Sequence, residues 1–110
     1  MSNKIFLSII IPTYNDAPEL DKLCESIFKN ETNNIEVIVV DDGSKISLQN
    51  IIDKYKIKYY KIKNSGPSFA RNFGASKANG ENLLFLDSDT IIPENMLKKI
   101  YNFSKNNNYN

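Results

Sequence analysis

Two clusters of carboxylates stand directly behind apolar runs: Leu83-Leu84-Phe85-Leu86 stops at Asp87-Ser88-Asp89, and Ile35 to Val40 stops at Asp41-Asp42-Gly43-Ser44. Short apolar runs that end abruptly in acids read as buried strands of a parallel sheet, whose carboxyl ends open into a ligand crevice. Both clusters then share one mouth. Carboxylates brought together repel unless a cation or hydrogen-bond donors lie between them, so the pattern points to a divalent metal and the phosphates it carries. The chain has no histidine. Any metal must therefore be held by oxygen, which favours magnesium or manganese over zinc, and any general base must be a carboxylate or belong to the substrate.

Each candidate has a second reading. In an extended segment, Asp87 and Asp89 point to opposite sides and grip different parts of one ligand, such as a ribose and a metal; the alternative is an Asp-rich turn that binds its own backbone. Asp41 and Asp42 sit where α/β nucleotide sites place a ribose-binding or base-binding acid, and they also suit a plain turn. Arg71, the only arginine, has a fork that matches a phosphate or carboxylate, or it forms a structural ion pair with Asp41 or Asp42. Tyr14 stacks on a base or covers the end of the sheet. Cys24, Tyr59 and Tyr60 fit the packing patterns of their elements.

The elements that must position these residues alternate. Ile5 to Ile11 reads as a first strand closed by Pro12, with Asn15 or Asp16 capping a helix whose first turn holds Pro18. Leu20, Leu23, Cys24, Ile27 and Phe28 form one apolar face of that helix. Ile35 to Val40 is a second strand, and a short helix opening at Ser47 carries Leu48, Ile51, Ile52 and Tyr55 inward. Ile57 to Ile62, alternating with Lys58 and Lys61, suits an edge strand. Pro67 starts a third helix lined by Phe69, Ala70, Phe73 and Ala78 and ended by Asn79-Gly80. Leu83 to Leu86 is a fourth, fully apolar strand. Pro93 opens a last helix, with Met96, Leu97, Ile100 and Tyr101 inward, that ends by Phe103. The expectation is one three-layer α/β domain over residues 1–104 with a polar tail at 105–110, a doubly wound and mostly parallel sheet in the order 3-2-1-4, and a switch point between strands 1 and 4.

Composition bounds the partners. The chain has 110 residues, 41% hydrophobic and 25% charged, with a net charge of +1, which suits one ordinary core and gives no field to attract nucleic acid. A single cysteine excludes an internal disulfide and fits a reducing compartment. The longest apolar stretch is too short to span a bilayer, and Pro12-Thr13-Tyr14-Asn15 offers no small-residue cleavage site for a signal peptide. A cytoplasmic location is expected, with the inner face of the cell membrane as the alternative.

Four segments in order resemble the family-2 glycosyltransferases: Ser8-Ile9-Ile10-Ile11-Pro12-Thr13-Tyr14-Asn15; Val39-Val40-Asp41-Asp42-Gly43-Ser44; Gly66-Pro67-Ser68 leading to Ala70-Arg71-Asn72; and Phe85-Leu86-Asp87-Ser88-Asp89. The resemblance spans nearly the whole chain. It implies the nucleotide-binding half of a GT-A fold, with Pro12, Thr13, Tyr14, Asp41 and Asp42 on the nucleoside, and Asp87 and Asp89 on ribose and on a manganese or magnesium ion. Ser88, between those two acids, and Arg71 join the expected nucleotide-binding set. The implied reaction moves a sugar from a nucleotide diphosphate, uridine-linked, to an acceptor hydroxyl of a glycan, lipid or protein. Such transfer usually inverts the anomeric centre and serves surface polysaccharide or lipopolysaccharide synthesis. Thr90 stands where many relatives carry a further acid. The family's general base and acceptor site lie downstream of its Asp-x-Asp motif, so here they are expected beyond Asn110, and the chain is expected to be incomplete for turnover.

Three other readings compete. A sugar-nucleotide pyrophosphorylase needs a Gly-rich loop after its first strand, which Pro12-Thr13-Tyr14-Asn15 lacks. An aspartate-nucleophile phosphatase carries its Asp-x-Asp on the first strand with Thr or Val two residues on, where this chain has Ile91 after the fourth. A non-catalytic nucleotide-binding domain would bind without transfer. The open edge of strand 4 leads to an expectation of self-association, through edge pairing or through burial of Ile91, Ile92, Met96 and Tyr101 against a second copy.

Overall fold

The computed structural model of the chain describes residues 4–30 and 33–107. Among them strands and helices alternate strictly: β1 (Leu7–Thr13), α1 (Ala17–Phe28), β2 (Ile35–Asp41), α2 (Gln49–Lys54), β3 (Lys58–Lys61), α3 (Pro67–Lys77), β4 (Asn82–Phe85) and α4 (Met96–Asn107). The sheet is wholly parallel in the order β3-β2-β1-β4. This is the expected order, with the switch point between β1 and β4.

Two layers of helices cover the sheet. On one face Ile9, Ile11, Val37 and Val39 pack with Leu20, Leu23, Cys24 and Ile27 of α1, and with Leu48, Ile51, Ile92 and Leu97. On the other, Ile10, Ile38 and Val40 meet Ala70 of α3. Helix α3 lies close because position 74 is glycine: a Cβ there would stand 2.5 Å from the Ile10 Cγ2 and 3.1 Å from that of Val40. Asn30 locks α1 to α4, its amide donating to the carbonyls of Ser26 and Pro93 and its oxygen accepting from the Leu97 N–H.

Several boundaries differ from expectation. β1 starts two residues later and continues through Pro12 to Thr13, because Thr13 stays in register with Asp41 and its carbonyl accepts the Asp42 N–H at 2.9 Å. β2 likewise keeps Asp41, as the last residue of a buried strand. Asn95 adopts a left-handed φ of 65°, so α4 begins at Met96 and not at Pro93. It runs to Asn107, past the expected start of a polar tail at 105; residues 108–110 lie outside the described residues. Phe69 points outward at 54% exposure, and β4 is not fully buried, with Leu83 at 45% and Phe85 at 43%. Leu83 and Phe85 pair in register with Ser8 and Ile10, on the face that α3 covers only over β1 and β2.

A polar knot lies inside the second apolar run, at the end of the sheet away from the acid clusters. Glu36 is 7% exposed. It accepts bonds from the Ser8 hydroxyl at 2.5 Å, the Asn79 N–H at 2.6 Å and the Lys58 ammonium at 2.5 Å, while the Gly80 N–H donates to Ser8 at 2.8 Å. Burial pushes the Glu36 carboxyl up, but the bonds from Asn79, Lys58 and Ser8 outweigh it and leave the group below its usual value.

Candidate active site

The carboxyl ends of β1, β2 and β4 open into a pocket of about 700 Å³. Pro12, Thr13 and Tyr14 form one wall, Asp87, Ser88 and Asp89 another, and Asp42 with Asn64, Gly66 and Pro67 a third. Asp16 and Glu19, at the start of α1, complete the lining. Four loops, one after each strand, therefore meet as parallel topology requires.

Asp87 and Asp89 do not lie in an extended segment. The Thr90 N–H donates to the Asp87 carbonyl at 3.0 Å, closing a turn. The turn buries Ser88 and leaves both acids exposed. Neither carboxylate has an ion-pair or hydrogen-bond partner among the described residues. They are free to bind something else.

The second acid pair is already engaged. Asp41 is fully buried; one oxygen accepts the Ser44 N–H at 2.8 Å and the other the Tyr59 hydroxyl. It does not line the pocket, and both of its carboxylate oxygens are already engaged within the chain. Tyr59 is held as a phenol, its pKa raised by burial, by the bond to Asp41 and by that group's charge. Asp42 does reach the pocket, yet its oxygens accept the Ser65 and Gly66 N–H groups at 2.7 and 3.0 Å. Its backbone carbonyl accepts from Asn64 at 3.0 Å. Asp42 thus shapes the loop before α3. Gly43, at φ +84°, lets the chain turn beneath that loop, where a Cβ would meet the Asn64 nitrogen at 3.0 Å.

Arg71 does not line the pocket. It joins none of the ion pairs among the described residues, which are Lys4–Glu81, Lys54–Asp21 and Lys58–Glu36. The expected pairing with Asp41 or Asp42 is absent because backbone N–H groups and Tyr59 occupy those carboxylates. Tyr14 is 42% exposed at the mouth, so its ring is available for stacking.

Thr13 carries a signal that sequence did not. Its side-chain oxygen is buried without a hydrogen-bond partner, the one such atom among the described residues. Buried polar atoms are nearly always paired, and Thr13 belongs to the wall of the pocket, so this oxygen is a bond left unmade beside it. Asp16 and Glu19 were missed as lining residues for a different reason: at a helix start, an acid reads as a cap.

No group of three or more His, Cys, Asp or Glu side chains among the described residues is arranged to hold a metal by itself. Two free carboxylates on one turn suit an ion that takes its remaining ligands from phosphate and water, as magnesium commonly does. The residues fit a metal-nucleotide and do not fit a resident protein-caged metal.

A doubly wound parallel layer with this mouth at its switch point has its likeness among the GT-A glycosyltransferases. The Glycosyl transferase family 2 model matches residues 8–110, and the chain belongs to that family. It is 41% identical over 107 residues to the minor teichoic acid biosynthesis protein GgaA of Bacillus subtilis, covering 87% of this chain and 24% of that protein. S. aureus TarS 1-349, solved in complex with UDP-GlcNAc, superposes with a TM-score of 0.86 at 35% identity over 92% of this chain and 31% of that one. The mannosyltransferase PcManGT of Pyrobaculum calidifontis, solved with GDP-Man and Mn2+, gives a TM-score of 0.76 at 21% identity over 92% of this chain and 32% of that one. That last likeness is one of fold. The curated relatives are longer proteins, of which the chain spans between 16% and 44%. No helix among the described residues is long and apolar enough to cross a membrane.

Proposed function

We propose that this chain binds the donor of a sugar-transfer reaction, a UDP-sugar, and that the protein it serves transfers the sugar to an acceptor hydroxyl in the synthesis of a cell-surface polymer. The observation that carries the reading is the pair of exposed, unpartnered carboxylates on the Asp87–Asp89 turn, facing the Pro12–Tyr14 wall across one pocket. Similarity to a TarS structure holding UDP-GlcNAc supports the choice of donor, and relatives in teichoic acid synthesis support the class of product.

In this reading Tyr14 offers its ring to the base, Thr13 gives or accepts the bond its hydroxyl lacks, and Pro12 closes the wall behind them. Asp42 holds the Asn64–Gly66 loop in place as the third wall. Asp87 and Asp89 hold manganese or magnesium, which when bound neutralises charge on the departing diphosphate. The general base and acceptor site are assigned to the additional length that the relatives possess. An inverting outcome follows if that base activates the acceptor for one direct displacement.

Calorimetry with UDP tests the reading. Binding is expected to be tighter with manganese than with chelator, and Asp89→Ala is expected to remove the difference while leaving the unfolding curve in place. Metal-dependent binding that survives in this variant would overturn the assignment of the turn.

A further inference from the structure

Asp16 stands at the N-cap of α1 but does not cap it: its side chain makes no bond to the helix's own backbone. An N-cap aspartate that accepts such a bond stabilises its helix, so its use elsewhere has to be explained. The Asp16 Oδ2 accepts the Ser88 hydroxyl at 2.9 Å, across 72 residues of sequence. Ser88 is 6% exposed and is the residue between the two free carboxylates.

Asp16 is itself held. Asn15 takes a left-handed φ of 56°, its N–H donates to the Ser44 hydroxyl at 2.8 Å, and its side-chain oxygen accepts the Lys45 N–H at 2.8 Å. Ser44 in turn is tied to Asp41. The loops after β1 and β2 are thus one braced body, and Asp16 is its side-chain link to the turn after β4.

We infer that Asp16 is a positioning residue for the reaction: through Ser88 it sets the directions of Asp87 and Asp89, and so the geometry in which they receive a metal-bound diphosphate. The inference rests on the donor-binding reading of this pocket. A purely structural bond would hold the loops together without preference for the metal-bound ligand, and a pure charge effect of Asp16 would not depend on Ser88.

The test uses the whole 110-residue chain with UDP and manganese as probes, and reads the ratio of UDP affinity with manganese to that with chelator. This ratio cancels general loss of folded protein. Asp16→Ala and Ser88→Ala are each expected to lower it about tenfold, in the range of a hydrogen bond to a charged group. The double variant should fall no further than either single. Asp16→Asn, whose amide oxygen accepts the same bond, should stay within about threefold of the wild type, because neutral acceptors are weaker. An unchanged ratio in Asp16→Ala, additive losses in the double variant, or an equal loss in Asp16→Asn would each overturn the inference. A wild-type chain that fails to bind UDP with manganese would instead refute the donor reading itself.

Discussion

Adjacent aspartates in this site have opposite fates. Asp41 and Asp42 look interchangeable as a pair, yet one is sealed by Ser44 and Tyr59 while the other clamps the Ser65–Gly66 backbone. Asp87 and Asp89 are exposed and have no ion-pair or hydrogen-bond partner among the described residues. Thr13 makes the sharpest residue-level prediction, because a buried hydroxyl without a hydrogen-bond partner costs free energy. Thr13→Val should leave stability unchanged or raise it by up to about 1 kcal/mol while weakening UDP binding; urea unfolding and calorimetry read the two separately. Loss of stability without loss of binding would mean that the hydroxyl has no ligand role. Cys24 is expected to be inert to thiol reagents in the folded chain, since burial first, and then the Asp21 charge, push its pKa up to about 12.

At the scale of elements, the strand order, the alternation and the meeting of the acid clusters were legible in the sequence, because apolar runs followed by acids encode buried parallel strands. Boundaries were not, where a residue's role depends on its partner. Pro12 looks like a strand end, but Thr13 beyond it still pairs with Asp41. Glu36 was hidden inside an apolar run because its partners Ser8, Lys58 and Asn79 come from three other segments. The Tyr59 partner of Asp41 was obscured in the same way. Position 74 shows packing overriding propensity. Gly74→Ala should gain up to about 1 kcal/mol of helix propensity, yet its Cβ would press on buried Ile10 at 2.5 Å, so a net loss of about 1–2 kcal/mol is expected. A rise in the urea midpoint would show that α3 can retreat freely. The Glu36 knot predicts acid sensitivity. Its folded pKa lies below the ordinary 4.5, so its contribution is present above that value and is lost as pH falls through the folded one. Glu36→Gln should flatten the stability profile below about pH 4.5, and an unchanged acid limb would exclude this group.

For the molecule as a whole, β4 closes the sheet with no second neighbour among the described residues, and its own Leu83 and Phe85 stand exposed. Ile92 is already buried and Tyr101 packs edge-on against Phe6 at 5.0 Å, so the expected association surface narrows to β4 and the exposed Ile91. The isolated chain is predicted to self-associate through that edge, with apparent mass rising with concentration in light scattering and Leu83→Lys suppressing the rise. A mass that stays monomeric throughout would show that the edge needs no cover. The central claim is that the mouth at the carboxyl ends of β1, β2 and β4 takes a metal-bound nucleoside diphosphate. Amide NMR of the labelled chain, titrated with UDP and then with paramagnetic manganese, tests it most directly. UDP should shift the signals of Tyr14, Asp42, Gly66 and Ser88, and manganese added with UDP should broaden those of Ser88 and Asp89 first, leaving Glu36 and Gly80 at the far end unaffected. Shifts at the far end of the sheet, or manganese broadening that ignores the Asp87–Asp89 turn, would contradict the account.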